Sequence, residues 1–338
     1  MPLVPLFALS LAQAPAAMPK APVLTVTPGK VIMGARALAY AQGPSGARFA
    51  ATLEDRSVRI YDAATRQTIR VFQGHPQPAY AIAWTRDGAF LATGDESGRI
   101  MIWNANTGQK LQEVRTHIRG IQALDWDASS KYLISTGKDD VVKVWERGKN
   151  KELHTIPGQG VNFYSATFIG ATPQFGVGFL GTGARIYSAP NAKVQNFLTG
   201  HNGEGIFDID FNSAGTRAVT AGRDGTGAIW DMKTYKRLNS LRGHTDQVIH
   251  ATFSPDGRFV ATSSPDRTVR VWNAANYQPV TVLENHTAVG SPLVFTKDGK
   301  YLVTVNFDDF IQINELKPAL APSSAPVKKP APARKRGG

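Results

Sequence analysis

Cysteine is absent from the 338-residue chain. The protein therefore has no disulfide framework, no thiolate zinc site and no cysteine nucleophile. The absence does not fix the compartment, because it fits a reducing cytosol as well as an exported protein that avoids disulfide errors. Hydrophobic residues make up 42% of the chain and aromatic residues 9%, which is enough to build a globular core.

Apolar runs long enough to cross a bilayer as a helix are also absent, and the run Leu3–Ala12 near the N-terminus is far too short. It leads into Ala12-Gln13-Ala14, an A-x-A pattern typical of signal-peptidase cleavage, although no Lys or Arg precedes the run. We expect residues 1–14 to be a signal peptide and 15–21 a linker, and hence a periplasmic or extracellular protein. The alternative is a cytoplasmic protein with an apolar leader.

Acidic residues are absent from the last stretch of the chain, 317–338, although six basic residues lie there. They are Lys317, Lys328, Lys329, Arg334, Lys335 and Arg336. The stretch is rich in Pro, Ala and Ser and has no apolar period, so we expect a disordered basic tail. Its charge suits an anionic surface such as nucleic acid, the cell envelope or lipid headgroups, and the alternative is a tail that only solubilises the protein.

A repeat runs through residues 22–316. Ala92–Asn104 and Ala261–Asn273 share one pattern, in which a Thr and a polar turn lead through a β-rich run to a Trp. The closing positions are spaced 42, 42, 42, 43, 42 and 42 residues apart. They are Tyr61, Trp103, Trp145, Tyr187, Trp230, Trp272 and Asn314. Short β-rich runs that alternate with turn signals in each repeat indicate four-stranded sheets.

Gly-His pairs begin three of these repeats, at Gly74-His75, Gly200-His201 and Gly243-His244. With this period, a Gly-His start and a closing Trp, the sequence resembles the WD40-repeat family. The resemblance implies an all-β, seven-bladed β-propeller with four-stranded blades. Because the last repeat stops at its third strand, we predict that the strand-like run Val23–Thr27 completes the last blade, so that an N-terminal strand closes the ring.

The resemblance also implies a buried network of His, Ser or Thr, Asp and Trp in each blade, in which these polar groups satisfy one another. Repeats three, five and six keep all four members: His117, Ser135, Asp139, Trp145, His201, Thr220, Asp224, Trp230, His244, Thr262, Asp266 and Trp272. Repeat two has Ser97 in place of the acid, and repeat seven has Asn314 in place of the Trp. Repeats one and four are degenerate, and we expect the fourth blade to be the softest or the most specialised.

Motifs of catalysis are missing: the sequence has no nucleophile elbow, phosphate-binding glycine loop, HExxH or EF-hand pattern. Five of the seven histidines occupy the repeat position and are interpreted as structural. We interpret His154 as a surface residue and His250 as a packing residue. We therefore expect no catalytic residue, metal, cofactor or small-molecule substrate, and an enzyme with a channel-lined site is the least favoured alternative.

The resemblance implies that partners bind the face around the central channel, at positions that begin the inner strands or precede the turn Asp. The candidate partner-binding residues are Tyr80, Gln122, Tyr164, Phe207, Ile249, Lys138, Arg223 and Phe307. Aromatic residues beside Arg are common anchors of interfaces. The sequence thus predicts a monomeric, non-catalytic scaffold for a protein or peptide, and the alternative is a module that binds an anionic polymer or surface through the basic tail.

Overall fold

The computed structural model describes residues 24–318, except 159, 182, 203–204, 285, 287–291 and 306–309. All regular elements of these residues are β-strands. The described part of the chain contains no helix that is long and apolar enough to cross a membrane. The expected signal peptide, the linker and nearly all of the basic tail lie outside the described residues.

The strands form seven antiparallel blades, which confirms the predicted fold class. Blade 1 consists of the second part of β1 (Leu24–Gln42) with β2 (Arg48–Leu53), β3 (Val58–Asp62) and β4 (Thr68–Phe72). Blade 2 consists of β5 (Ala79–Trp84), β6 (Phe90–Asp95), β7 (Arg99–Asn104) and β8 (Lys110–Arg115). Blade 3 consists of β9 (Ile121–Trp126), β10 (Tyr132–Gly137), β11 (Val141–Glu146) and β12 (Glu152–Pro157).

The remaining blades follow in chain order. Blade 4 consists of β13 (Phe163–Phe168), β14 (Gln174–Phe179), β15 (Gly183–Ser188) and β16 (Val194–Thr199). Blade 5 consists of β17 (Ile206–Phe211), β18 (Arg217–Gly222), β19 (Gly227–Asp231) and β20 (Lys236–Leu241). Blade 6 consists of β21 (His250–Phe253), β22 (Phe259–Ser263), β23 (Val269–Asn273) and β24 (Pro279–Leu283). Blade 7 consists of β25 (Val294–Phe295), β26 (Tyr301–Val305), β27 (Phe310–Pro318) and the first part of β1.

The long strand β1 belongs to two blades and closes the ring. Leu24 lies opposite Pro318 in β27, whereas Gln42 lies opposite Phe49 in β2. The N-terminal strand is therefore the outer strand of blade 7, and the prediction of ring closure is confirmed. The pairing also carries β27 as far as Pro318, two residues beyond the expected end of the propeller at residue 316.

Apolar side chains fill the spaces between neighbouring blades. Ile100 and Ile102 of blade 2, for example, form one buried cluster with Trp126 and Trp145 of blade 3. Successive residues of a strand point to opposite faces of a sheet, so each middle strand contributes to the clusters on both of its sides. The outer strands have one solvent-facing side, and Phe197 of β16 is 52% exposed there.

Candidate interaction face and central channel

In blades 3, 5 and 6, the four residues of the predicted network lie within hydrogen-bond distance of one another. The Trp145 indole N–H donates to the Ser135 hydroxyl at 3.0 Å, and His117 lies 2.9 Å from Ser135 through Nε2 and 2.8 Å from Asp139 through Nδ1. The same contacts join His201, Thr220, Asp224 and Trp230 in blade 5 and His244, Thr262, Asp266 and Trp272 in blade 6. A neutral His with its proton on Nδ1 gives every donor of this chain an acceptor.

The pKa shifts of the network residues agree with a neutral His and a charged Asp. Burial lowers the pKa of His117 and His244, and their Asp partners only partly oppose it. Burial alone would raise the pKa of Asp224, but hydrogen bonds from His201 and Thr226 outweigh it and hold that pKa below its ordinary value. In blade 6, where burial lowers the pKa of His244, hydrogen bonds from Thr268 and His244 outweigh burial and hold the pKa of Asp266 below its ordinary value, so at neutral pH an uncharged imidazole meets a charged carboxylate.

Blade 2 also has a complete network, which corrects the prediction that Ser97 takes the place of its acid. The side chain of Asp95, two residues earlier, is fully buried and lies 3.1 Å from His75 Nδ1. Ser97 donates its hydroxyl to the other Asp95 oxygen at 2.7 Å. The Thr93 hydroxyl completes the chain, at 2.6 Å from His75 Nε2 and 2.8 Å from the Trp103 indole nitrogen. The acid is thus present, but it comes from the end of the strand β6.

In blade 7 an amide stands where the other blades have an indole. Asn314 Nδ2 donates to the Thr304 hydroxyl at 3.0 Å and to the Leu302 carbonyl at 3.1 Å. His286 Nε2 lies 2.9 Å from the same hydroxyl, and its Nδ1 lies 3.0 Å from the Glu284 carbonyl. Burial lowers the pKa of His286, so this histidine is also held in its neutral form. The Asn therefore supplies the donor that a Trp supplies elsewhere.

Blade 4 is filled by aromatic rings in place of the polar network. Phe175 stacks on Tyr187 with 5.5 Å between ring centroids and meets Phe168 edge-on at 5.7 Å. Phe163 and Phe179 meet edge-on at 6.3 Å. Such pairs add about 0.5–1.5 kcal/mol to the effect of apolar burial. This blade is specialised in its packing, and its expected softness stays a prediction.

Among the candidate partner-binding residues, Tyr80 and Lys138 meet across the boundary between blades 2 and 3. Tyr80 is 42% exposed, and Lys138 Nζ lies 5.5 Å from the centre of its ring. The same nitrogen lies 2.9 Å from both carboxylate oxygens of Glu96. On the inner strand of blade 3, the Gln122 amide oxygen is buried and has no hydrogen-bond partner among the described residues. Lys138 thus contacts the exposed Tyr80 ring and the Glu96 carboxylate at the same time.

A second contact joins candidate residues of blades 4 and 5. Tyr164 and Phe207 meet edge-on, with 5.4 Å between ring centroids and 80° between ring planes. Both rings are partly buried, Arg223 of blade 5 is exposed, and Ile249 of blade 6 is partly buried. Phe307 lies outside the described residues.

Ile118 belongs to the same face and was not among the residues selected from the sequence. It follows the network residue His117 in the loop before β9, and 83% of its surface is exposed. Its backbone N–H donates to Asp139 at 3.0 Å, and Thr245 donates in the same way to Asp266 in blade 6, also at 3.0 Å. The backbone geometry thus does not require an apolar side chain. The sequence signal that could have identified Ile118 is an Ile directly after a network His, at a position where blade 6 has Thr245.

Along the channel wall, side chains of the inner strands join neighbouring blades. Asp125 accepts the N–H of Phe168 at 2.8 Å, and Asp208 accepts the N–H of Ala251 at 3.2 Å. His250 Nδ1 lies 3.3 Å from Asp208, so this histidine forms a hydrogen bond besides packing. An inner strand has no sheet partner along its channel edge, and these acceptors satisfy N–H groups that would otherwise lack one.

Among the residues that the structure describes, no three His, Asp or Glu side chains form a group that could hold a metal ion. His154, expected at the surface, is partly exposed on the outer strand β12 and lies 2.9 Å from the Pro190 carbonyl.

Comparison with known proteins agrees with this geometry. The chain matches the family model of the WD domain, G-beta repeat, over residues 66–104, 108–146, 192–231 and 235–273. Each match ends one residue after the network Trp of blade 2, 3, 5 or 6, the blades with the complete polar network. No curated protein matches the chain. Four matched repeats within a ring of seven antiparallel blades show that the chain belongs to the WD40-repeat family.

Proposed function

We propose that this protein is an exported, non-catalytic scaffold that binds a protein or peptide on the face around the central channel. WD40 propellers typically serve as protein-interaction scaffolds. Because one fold supports many functions, the proposal must rest on the residues of the face. The leader with its A-x-A pattern supports export.

The observation that carries the proposal is the set of exposed and partly exposed rings on this face. Tyr80 contacts Lys138 and Tyr164 contacts Phe207, and these contacts favour one orientation of each ring before a partner arrives. Fixed aromatic side chains lose little conformational entropy on binding and are frequent hot spots. Ile118 adds an exposed aliphatic side chain to the same face.

Affinity capture from native lysate tests the proposal. The bait is residues 15–338, and the variant carries Tyr80→Ala, Tyr164→Ala and Phe207→Ala together. Phe197→Ala is the matched control, because Phe197 is an exposed ring on the outer strand β16, away from the face. We expect one discrete protein, retained at high salt by the unchanged bait and by the control and lost by the triple variant. Equal retention by the triple variant would refute the proposal.

The basic tail provides the alternative function, binding of an anionic polymer or surface. A bait that ends at Pro318 keeps the whole of β27 and removes residues 319–338, which carry five of the six basic residues of the tail. Electrostatic binding to a polyanion weakens steeply with salt. Capture of mixed anionic material that is lost at high salt, or lost with the tail, would favour this alternative over the scaffold.

A further inference from the structure

A cavity of about 400 Å³ occupies the end of the central channel opposite the proposed partner face. It is lined by the last residues of the inner strands and by the turns that follow them, whereas Tyr80 lies at the beginning of its inner strand. Its volume falls within the range of small-molecule sites, roughly 300–1,000 Å³. No sequence motif pointed to it.

The wall of this cavity has two chemically different arcs. Each blade contributes the residue that lies 20 positions before its closing residue, and all seven line the cavity: Ala41, Ala83, Asp125, Thr167, Asp210, Thr252 and Val294. Blades 3 to 6 therefore present alternating carboxyl and hydroxyl groups, and blades 7, 1 and 2 present small apolar side chains. The small side chains leave the space that forms the cavity.

The two carboxyl groups have no cation paired with them among the described residues. Asp125 accepts the N–H of Phe168 at 2.8 Å, and Asp210 accepts the Thr252 hydroxyl at 2.8 Å. Two cations also line the cavity, Arg86 and Lys297. The Arg86 guanidinium donates to the Gly170 carbonyl at 2.8 Å, and Lys297 is exposed to solvent. Two acids thus face a cavity of ligand size without a counter-charge in contact.

Without a bound cation, it is unfavourable for Asp125 and Asp210 both to carry a negative charge. Burial raises the pKa of Asp125 to about 7, and Asp210 adds to this effect while Arg86 partly opposes it. Burial also raises the pKa of Asp210 to about 6, with a further contribution from Asp208. A cation in the cavity would favour the charged form of both groups, so its binding would displace protons.

We propose that this cavity binds an aliphatic ammonium group, with the charge between Asp125 and Asp210 and the hydrocarbon chain against Ala41, Ala83 and Val294. An ammonium group has three donors on one atom, which suits an arc of carboxyl and hydroxyl acceptors. A guanidinium fits less well, because its fork needs both oxygens of one carboxylate. In Asp125 both oxygens already accept backbone N–H groups.

The ammonium could belong to a free alkylamine or to a lysine side chain of another polypeptide. Titration of the full chain with n-butylammonium, followed by NMR of the indole N–H groups of Trp84 and Trp126, which line the cavity, tests the site directly. We expect saturable shifts with n-butylammonium, none with the neutral analogue n-butanol, and tighter binding at pH 7.5 than at pH 5.5. Nα-acetyl-lysine methylamide distinguishes the sources: tighter binding than n-butylammonium indicates a lysine side chain, and weaker binding a free amine.

Variants separate the site from the fold. Asp210→Asn should weaken binding of n-butylammonium at least tenfold. Asp208→Asn, two residues away on the same strand and outside the cavity lining, removes a charge that acts on the site only through Asp210 and should change binding far less. Ala83→Leu fills the apolar arc, keeps both acids and should abolish binding, which covers the case in which Asp210→Asn fails to fold. Equal binding of n-butanol, shifts with calcium chloride but not with the amine, or no binding by the folded protein would overturn the proposal.

Discussion

The backbone N–H of Ile118 donates a hydrogen bond to the carboxylate of Asp139, 3.0 Å away. The same carboxylate binds His117, which belongs to the buried network of blade 3. An apolar side chain that is 83% exposed therefore lies on a backbone segment that is hydrogen-bonded to the buried network. The backbone that carries this side chain is already fixed, so it loses little entropy when a partner covers the side chain.

Replacement of Ile118 should affect binding and not stability. Ile118→Thr copies the residue that blade 6 carries at this position, Thr245, and the hydrogen bond from the backbone remains. We expect the free energy of unfolding to change by less than about 0.5 kcal/mol and partner binding to weaken about tenfold or more. Urea denaturation and a binding titration measure the two quantities, and Thr245→Ala is the control on the same face. A large loss of stability with unchanged binding would show that Ile118 is structural.

Asp95 should be the acid that stabilises blade 2. Asp95→Ala leaves the Nδ1–H of the buried His75 without an acceptor, and a buried unsatisfied group costs about 1–3 kcal/mol. Ser97→Ala removes one hydroxyl and should cost less than about 1 kcal/mol. Urea denaturation of the two variants gives the comparison. A larger effect of Ser97→Ala would mean that Ser97, which occupies the repeat position of the acid, is the network residue and that Asp95 is not.

The aromatic packing of blade 4 should be essential for stability. Phe175 is fully buried between Tyr187 and Phe168, and Phe175→Ala should lower the free energy of unfolding by about 3–5 kcal/mol. Phe197→Ala removes an exposed ring from the outer strand of the same blade and should change it by less than about 1 kcal/mol. Similar effects of the two substitutions in chemical denaturation would contradict the packing described for this blade.

The channel acids predict a particular pH dependence of stability. Burial places the pKa of Asp125 at about 7 and that of Asp210 at about 6, both above the ordinary value of 3.8. The contribution of such groups to stability is therefore complete below about pH 4 and is lost as the pH rises through 6 and 7.

Asp125→Asn cannot ionise and should escape this loss. Between about pH 4 and pH 7, the free energy of unfolding of the variant, measured relative to that of the unchanged protein, should increase by about 1.4 kcal/mol for each pH unit. Denaturation at pH 4.5, 6.0 and 7.5 measures this difference. A constant difference across the three pH values would show that Asp125 ionises as it does in the unfolded chain.

The fold could be predicted from the sequence because Tyr61, Trp103 and their counterparts recur at nearly constant spacing, and a repeat that cannot bury its faces alone must stack on its neighbours. The closing strand could be predicted because the last repeat lacks its outer strand. The role of Asp95 could not be predicted, because Asp95 lies two residues before the repeat position of the acid. Only the turn that brings its carboxylate to His75 makes it the acid of the network.

The cavity and Ile118 illustrate a different limit. Ala83 and Asp210 hold the same position in their repeats, but the repeat pattern does not show that this position lines a cavity; the cavity emerges only when the ring closes. The exposure of Ile118 depends on the course of one loop, which the spacing of the repeat does not determine. Repeat periodicity therefore predicts which residues are buried by stacking, and it leaves the chemistry of the channel and of the rim undetermined.

The dissociation constant of the captured partner shows whether a protein or peptide binds the face around the central channel. It should be measured at high salt for the unchanged protein, for the variant with Tyr80, Tyr164 and Phe207 all replaced by Ala, and for Phe197→Ala. We predict that the triple variant binds at least a hundredfold more weakly while its unfolding transition is retained, and that Phe197→Ala binds normally. Equal dissociation constants for all three proteins would show that these three rings do not bind the partner.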